Sequence, residues 1–286
     1  MFEEFAPAKV NLTLHVTGQR PDGYHLLDSL VMFASVGDHL AFKRADTLCL
    51  TVDGPEAHAV PTDGNSVLSA ASLLDPQSAA HIHLNKTLPV ASGIGGGTAD
   101  AAAAYRGLSK LWGLPAPVPT AQTFAHVAKL GADVPVCLFS RSARMSGIGE
   151  QIVFLPDLPT LSAVLVNPRA EVSTPAVFKT IPRKGNAPMA IVPPTFANQA
   201  EFVSWLELQR NDMQDAAVAI APVIAEVLAQ IAATTSCQLT RMSGSGATCF
   251  GLFPNDQAAQ KAAAQISVTH PDWWVQHCTL GNNATS

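Results

Sequence analysis

Four glycines in five positions, Gly93-Ile94-Gly95-Gly96-Gly97, constrain this chain more than any other feature. They follow a segment, Ala80 to Lys86, in which Ile82 and Leu84 alternate with His81, His83 and Asn85, and they precede the alanine-rich run Ala101 to Trp112. Period-two alternation makes the first segment a strand, and the high helix propensity of alanine makes the second a helix. A strand, a glycine loop and a helix therefore follow in order. Glycine has no Cβ and accepts positive φ, so the amides of such a loop can close on an anion. The helix behind it supplies unpaired N–H groups and the positive end of its dipole. The loop predicts a phosphate cradle, and a tight strand-to-helix turn is the purely structural alternative.

Two familiar phosphate loops do not fit these letters. A Walker A loop needs Gly-x-x-x-x-Gly-Lys-Ser/Thr, and no lysine follows Gly97. A dinucleotide fingerprint needs Gly-x-Gly-x-x-Gly/Ala, yet the sixth position is Thr98 counted from Gly93 and Asp100 counted from Gly95. Thr98 can offer its hydroxyl to a phosphate or to magnesium, and no other metal ligand stands out. Asp100, in the first helical turn, reads as a cap, a magnesium contact or a dipole partner. A second small-residue loop, Arg241-Met-Ser-Gly-Ser-Gly-Ala-Thr248, suits another anionic group or a close backbone contact. The net charge is −5. With no basic field to gather nucleic acid or anionic membrane, phosphate must be held by oriented amides.

The rest of the 286 residues reads as a folded chain, 48% hydrophobic and 14% charged. Lys9 to Val16 alternates, with Val10, Leu12, Leu14 and Val16 on one face and Lys9, Asn11, Thr13 and His15 on a polar one. Gly18 to Gly23 is a turn, and Leu26–Phe33, His39–Phe42 and Leu48–Val52 are strands. A helix fits Asn65 to Leu74 and another Thr120 to Leu130, and the apolar run Val136 to Phe139 predicts a strand. Leu155-Pro-Asp-Leu-Pro159 is the expected domain boundary, giving 1–155 and 156–286. Beyond it come a strand at Ser162–Asn167 and helices over Ala197–Leu208, Asp212–Ala221 and Pro222–Ala233. Strands at Thr240–Met242, Cys249–Phe253 and Trp273–Cys278 flank a last helix, Asp256–Ile266. Ala216 to Ala233 carries Glu226, Gln230 and Pro222 and falls short of the roughly 20 apolar residues that span a bilayer. Five cysteines without a C-x-x-C pair or a secretion signal predict reduced thiols and a cytoplasmic protein.

Five blocks together carry a family resemblance: Ala6-Pro-Ala-Lys-Val-Asn-Leu12, Arg20-Pro-Asp-Gly-Tyr-His25, Leu88 to Ala102 through the glycine loop, Gly131-Ala-Asp-Val-Pro135 and Met242-Ser-Gly-Ser-Gly-Ala247. In this order they resemble the galactokinase, homoserine, mevalonate and phosphomevalonate (GHMP) kinase superfamily over nearly the whole chain. The Arg20–His25 block marks its branch acting on a cytidine-diphosphate alcohol. The resemblance implies an α+β, two-domain fold. Its N-terminal, ATP-binding domain is like domain 2 of ribosomal protein S5, its C-terminal, substrate-side domain is an α/β sandwich, and the active site lies in the cleft between. It further implies ATP-dependent phosphorylation of the 2-hydroxyl of 4-diphosphocytidyl-2-C-methyl-D-erythritol, in the non-mevalonate route to isoprenoid precursors, with magnesium-ATP as donor and no obligatory protein partner.

Carried over by position, Lys9 and Asp133 are the catalytic pair, Asp133 taking the alcohol proton and Lys9 orienting it and stabilising developing charge. Asn11, Tyr24, His25, Thr174, Phe178, Gly244 and Ser245 fall at the substrate, with Tyr24 and Phe178 on opposite faces of cytosine and His25 at its edge. Pro89, Ala91, Gly93, Ile94, Gly95, Gly96, Gly97 and Thr98 surround the ATP phosphates, Asn65 and Ser66 lie near adenine, and Lys86 assists electrostatically. Thr98-Ala99 replaces two serines common in the family, so one hydroxyl is lost. The alternatives at this point are a kinase of the same superfamily acting on mevalonate or homoserine, and a catalytically silent nucleotide-binding module.

Overall fold

The structure, a computed structural model, describes residues 2–61, 63–75 and 79–282. The first half runs β1 (Phe2–Asn11), β2 (His15–Gln19), β3 (His25–Lys43), β4 (Cys49–Asp53), α1 (Ser66–Leu74), β5 (His81–Asn85), α2 (Gly96–Trp112), α3 (Ala121–Val127), α4 (Val134–Phe139), β6 (Ala143–Gly147) and β7 (Gln151–Phe154). The second half runs β8 (Leu161–Asn167), α5 (Thr174–Thr180), α6 (Gln199–Glu207), α7 (Gln214–Ile220), α8 (Val223–Ala232), β9 (Leu239–Met242), β10 (Cys249–Phe253), α9 (Asp256–Thr269) and β11 (Trp274–Gly281). The fold is mixed α+β.

The strands join in one 11-stranded sheet of order β4-β5-β3-β11-β8-β10-β9, with β1, β2 and β6 also on β3 and β7 on β6. Among the described strands only β4 and β5 pair in parallel, and an isolated parallel bridge joins Leu14 to Asn211. The last strand, β11, bridges the two halves through Leu280 opposite Ala34 and seven residues along β8. Three apolar clusters cover the sheet. In the first, α1, α2 and α4 pack on Phe33, Phe42, Ile82 and Leu84. Alanine at positions 101–104 and glycine at 107 keep α2 thin enough to lie close on the sheet, and a Cβ at Gly107 would strike the Phe42 ring. In the third, Ile224, Val227, Ile231 and Ile266 pack on Val164, Val166 and Phe253. The middle cluster joins Ala8, Val10 and Leu12 of the first half to Leu161, Leu165 and Phe250 of the second.

Four local expectations change. The strand predicted over Lys9–Val16 ends at Asn11 and resumes at His15, because the N–H and C=O of Leu14 bond to Arg210 and Asp212 instead of a strand neighbour. Its polar face is buried too, and each of Lys9, Asn11, Thr13 and His15 makes at least one side-chain hydrogen bond inside. The two strands expected between Leu26 and Phe42 are one, since Gly37 is a close-approach residue against Ala6 and Pro7 and not a breaker. Val136–Phe139 is helical: a short apolar run has no decisive period, and Pro135 fits a first turn. The α2 helix starts at Gly96, five residues before the alanine run. All five cysteines are free, and Cys137, Cys249 and Cys278 are buried. Among the described residues no helix is long and apolar enough to cross a membrane.

Candidate active site

A cavity of about 600 Å³ opens where the end of β1, the N-termini of α2 and α4, the α5 segment and the β9–β10 loop converge. Lys9 stands near the end of β1, just past a register shift against β3 between Pro7 and Lys9, a device that re-aims a side chain. Its Nζ donates to Asp133 Oδ2 at 2.7 Å. Asp133 is the residue before α4 but makes no capping bond, so its carboxylate is left to Lys9 and the cavity. The two side chains differ in exposure, 5% for Lys9 and 34% for Asp133. One partner is thus fixed in the protein, and the other can meet a ligand.

The glycine loop sits against the same strand through a bond from Lys9 N–H to Ile94 O, 2.9 Å. Gly95 precedes α2 with φ +67°, and the first residues of the helix, Gly96, Gly97 and Thr98, whose N–H groups have no partner within it, line the cavity. A Cβ there would come within 3.1 Å of Thr98 Oγ1 and 3.4 Å of Lys9 Cβ, so the cradle has no room for a side chain. Thr98 donates to Gly95 O at 2.8 Å. Ala91, Gly93, Gly95, Gly96, Gly97, Thr98 and Ser66 line the cavity. Pro89 and Ile94 are buried outside the lining, and Asn65 caps α1 by accepting from Val67 N–H.

Lys86 is also outside the lining. Its ammonium is buried behind the loop, donating to Asp38 Oδ2 at 2.6 Å and Asp100 Oδ2 at 2.5 Å, while Asp38 Oδ1 accepts the N–H groups of Thr87 and Leu88. Burial drives the Asp100 carboxyl up to about 8 against the pull of Lys86. Of the three sequence readings of Asp100, its geometry matches none: its carboxyl group accepts from Lys86 beneath the cradle.

The second glycine loop interlocks with the first. Ser243 Oγ donates to Gly93 O (3.1 Å) and accepts from Asn11 N–H (3.0 Å), and Asn211 Nδ2 holds Gly244 O at 2.9 Å. Ser245 and Thr174 share a hydroxyl hydrogen bond of 2.7 Å, which ties the loop to α5. Asn11 Nδ2 donates to Ser29 Oγ at 2.8 Å, and its Oδ1 is buried without a partner beside the cavity. At the far end Tyr24 is 60% exposed. His25 and Phe178 stack on one another, centroids 4.4 Å apart and planes 13° off parallel. The contact leaves no gap for a third ring between them, and both Tyr24 and Phe178 line the cavity. Burial and then Lys184 lower the His25 pKa, and its Nε2 is buried without a partner. Sequence reasoning passed over Ser29, Ser92 and Ser243, of which Ser29 and Ser92 line the cavity. Ser92 and Ser243 lay inside quoted blocks, but nothing in a single sequence separates a serine that ties loops from one that fills space.

An anion cradle at a helix start, a lysine–carboxylate pair beside it and a second glycine loop facing it define a small-molecule kinase of the GHMP class. Residues 65–141 match the GHMP kinases N terminal domain and residues 199–270 the GHMP kinases C terminal domain. The 4-diphosphocytidyl-2-C-methyl-D-erythritol kinase of Roseobacter denitrificans is 55% identical over 99% of this chain and 94% of its own. That of Paramagnetospirillum magneticum is 52% identical over 96% and 97%. A solved 4-(cytidine 5'-diphospho)-2C-methyl-D-erythritol kinase superposes with a TM-score of 0.79 at 32% identity, covering 98% of this chain and 99% of that one. A homoserine kinase from Cytophaga hutchinsonii shares the fold, at a TM-score of 0.70 and 18% identity over 98% and 95% of the two chains. The chain belongs to the 4-diphosphocytidyl-2-C-methyl-D-erythritol kinase family. It is a small-molecule kinase, and kinases of this kind use ATP as phosphate donor.

Proposed function

We propose that this protein transfers the γ-phosphoryl group of ATP to the 2-hydroxyl of 4-diphosphocytidyl-2-C-methyl-D-erythritol, the compound that its relatives' names give as the kinase substrate. The observation that carries the reading is the 2.7 Å contact between Lys9 and Asp133 on the floor of the cavity, next to the open start of α2. Asp133 takes the hydroxyl proton, and Lys9 holds that carboxylate in place and stabilises the charge that develops as the oxygen attacks. Phosphoryl transfer asks for positioning and charge neutralisation more than for covalent chemistry, and both are present in these two groups and the amides of Gly96, Gly97 and Thr98.

The donor set fits a magnesium ion that travels with the nucleotide. Among the described residues no group of three or more His, Cys, Asp or Glu could cage a metal. The Thr98 hydroxyl and Asp133 carboxylate both line the cavity, which suits an ion held chiefly by phosphate oxygens and water. The ion would neutralise charge on the transferred phosphate. Ser66 is the adenine-side wall, with Asn65 shaping it through its cap. Tyr24, His25, Thr174 and Phe178 form the cytidine end: Tyr24 offers the stacking face and the unpaired His25 Nε2 a partner for the base edge. Tyr24 and Phe178 take opposite faces of the base, with His25 at its edge. Gly244 and Ser245, beside Asn11, face the diphosphate and erythritol. Residues 1–155 and 156–286 serve as the two domains framing the cleft, and the five free thiols suit a reducing cytoplasm.

The test is transfer of label from γ-labelled ATP to the cytidine substrate by the protein and by Asp133→Asn, with CDP binding measured in both. Transfer that Asp133→Asn abolishes while CDP still binds supports the reading. Transfer undiminished in the variant contradicts it.

A further inference from the structure

Arg106 lies in the middle of α2, 5% exposed and outside the cavity lining, and its side chain bonds to both β1 and α4. Its Nε donates to Glu4 Oε2 at 2.7 Å and its Nη2 to Phe5 O at 2.7 Å, both on β1. Its Nη1 donates to Cys137 O at 3.2 Å and Leu138 O at 3.3 Å, carbonyls in the last turn of α4. Such carbonyls have no partner within the helix, and a guanidinium satisfies them while matching the negative end of the helix dipole. All three nitrogens are therefore in use, and each reaches an element that carries part of the catalytic pair.

The geometry then has a direct consequence. Four residues along β1 from Phe5 stands Lys9, roughly 13 Å away at strand rise. Four and five residues back along α4 from Cys137 and Leu138 stands Asp133, about 6–7.5 Å away at helix rise. Lys9 and Asp133 are 124 residues apart in sequence and meet at 2.7 Å. Among the described residues, Arg106 is the side chain that hydrogen-bonds to both β1 and α4, and it does so from the helix whose start forms the phosphate cradle. Stability alone does not call for a charge here, since apolar residues of similar volume pack as well in place of a buried ion pair. A planar fork held by four acceptors fixes distances in a way that apolar contacts do not.

We propose that Arg106 is a positioning residue for phosphoryl transfer: its guanidinium sets β1 against α4 and so holds Lys9 and Asp133 at reacting distance relative to the cradle. The proposal rests on Lys9 and Asp133 being the pair that performs transfer.

The test compares Arg106→Lys and the double variant Glu4→Leu/Arg106→Met with wild type and with Asp133→Asn. The double variant removes both charges, so no unpaired carboxylate is left buried. Turnover and KM for ATP and for the cytidine substrate are measured at a temperature where circular dichroism shows each protein fully folded. Misplacement of about 1 Å costs up to roughly a hundredfold in rate, so kcat is expected to fall about ten- to hundredfold in the double variant with both KM values within about twofold of wild type. Arg106→Lys, which keeps the charge but loses the fork, is expected to fall between and gives the answer alone if the double variant does not fold. Asp133→Asn introduced into the double variant costs less than it does in wild type, because the pair is already loosened. Wild-type kcat in Arg106→Lys and the double variant overturns the proposal, as does a rise in KM that accounts for the whole loss. Wild-type turnover by Asp133→Asn alone overturns the pair itself, and the proposal with it.

Discussion

Replacing Gly93 by alanine tests the interlock of the two glycine loops. Gly93 has φ +76°, and an added Cβ would lie 2.6 Å from Gly246 O, 2.7 Å from Ser243 O and 2.9 Å from Gly246 N. A left-handed conformation costs a non-glycine residue about 1–2 kcal/mol. The three contacts are to backbone, which cannot rotate away as a side chain does, so the loops must part by several tenths of an ångström. Forced overpacking of this kind costs about 1–3 kcal/mol. The sum, about 2–5 kcal/mol, is a large part of the roughly 5–15 kcal/mol that holds a domain folded. Parting the loops also moves Ser243, which bonds both Gly93 O and Asn11 N–H, so cradle and substrate side are disturbed together. Urea unfolding gives the stability loss, and steady-state kinetics should show KM rising for ATP and for the cytidine substrate. A Gly93→Ala protein within about 0.5 kcal/mol of wild type and with both KM values unchanged would refute the interlock.

Three further outcomes follow from the same geometry. Asp133→Asn keeps shape but cannot take a proton, so kcat should drop about 100- to 10,000-fold by single-turnover assay while cytidine nucleotide affinity stays near wild type. Tyr24→Ala removes an exposed stacking face, which predicts CDP binding weaker by about tenfold in calorimetry, at the low end of the 1–3 kcal/mol range for a stacked base. Asp100 has a carboxyl raised to about 8 by burial. Folding therefore raises its proton affinity, and the associated stability, full below about 4, is lost as pH climbs toward 8. Asp100→Asn, which mimics the protonated form, should flatten that decline in denaturation curves taken from pH 5 to 8.5. An equally steep decline in the variant would assign it to other groups.

The parts of the fold that a single sequence made legible were those with a decisive period: β5, the loop and α2 in series, α1 behind its Asn65 cap, and α6 to α9. Val136–Phe139 was not, because an apolar run shorter than two helical turns satisfies strand and helix alike. The segment Lys9–Val16 looked half-exposed because polar residues alternate there, yet Asn11, Thr13 and His15 are buried and find partners in Ser29, Leu30 and Ala187, which lie far along the chain. The site was legible to a similar degree. Amides at a helix start follow from glycine spacing, whereas nothing in the sequence spacing brings residue 9 to residue 133; that contact came from resemblance, and in the structure it is maintained by long-range bonds such as those of Arg106. Lys86 sits next to the loop in sequence but lies outside the cavity lining, held by the carboxyl groups of Asp38 and Asp100.

The central claim, that this cavity phosphorylates a cytidine-diphosphate alcohol, is tested most directly by following ADP release from the purified protein with magnesium-ATP. The assay is run with 4-diphosphocytidyl-2-C-methyl-D-erythritol, with mevalonate, with homoserine and with no acceptor. Release that depends on the cytidine substrate and on neither other alcohol is the predicted result. Release driven by mevalonate or homoserine would contradict the substrate assignment, and no release with any acceptor, while CDP still binds, would contradict the assignment of Lys9 and Asp133 as a working pair.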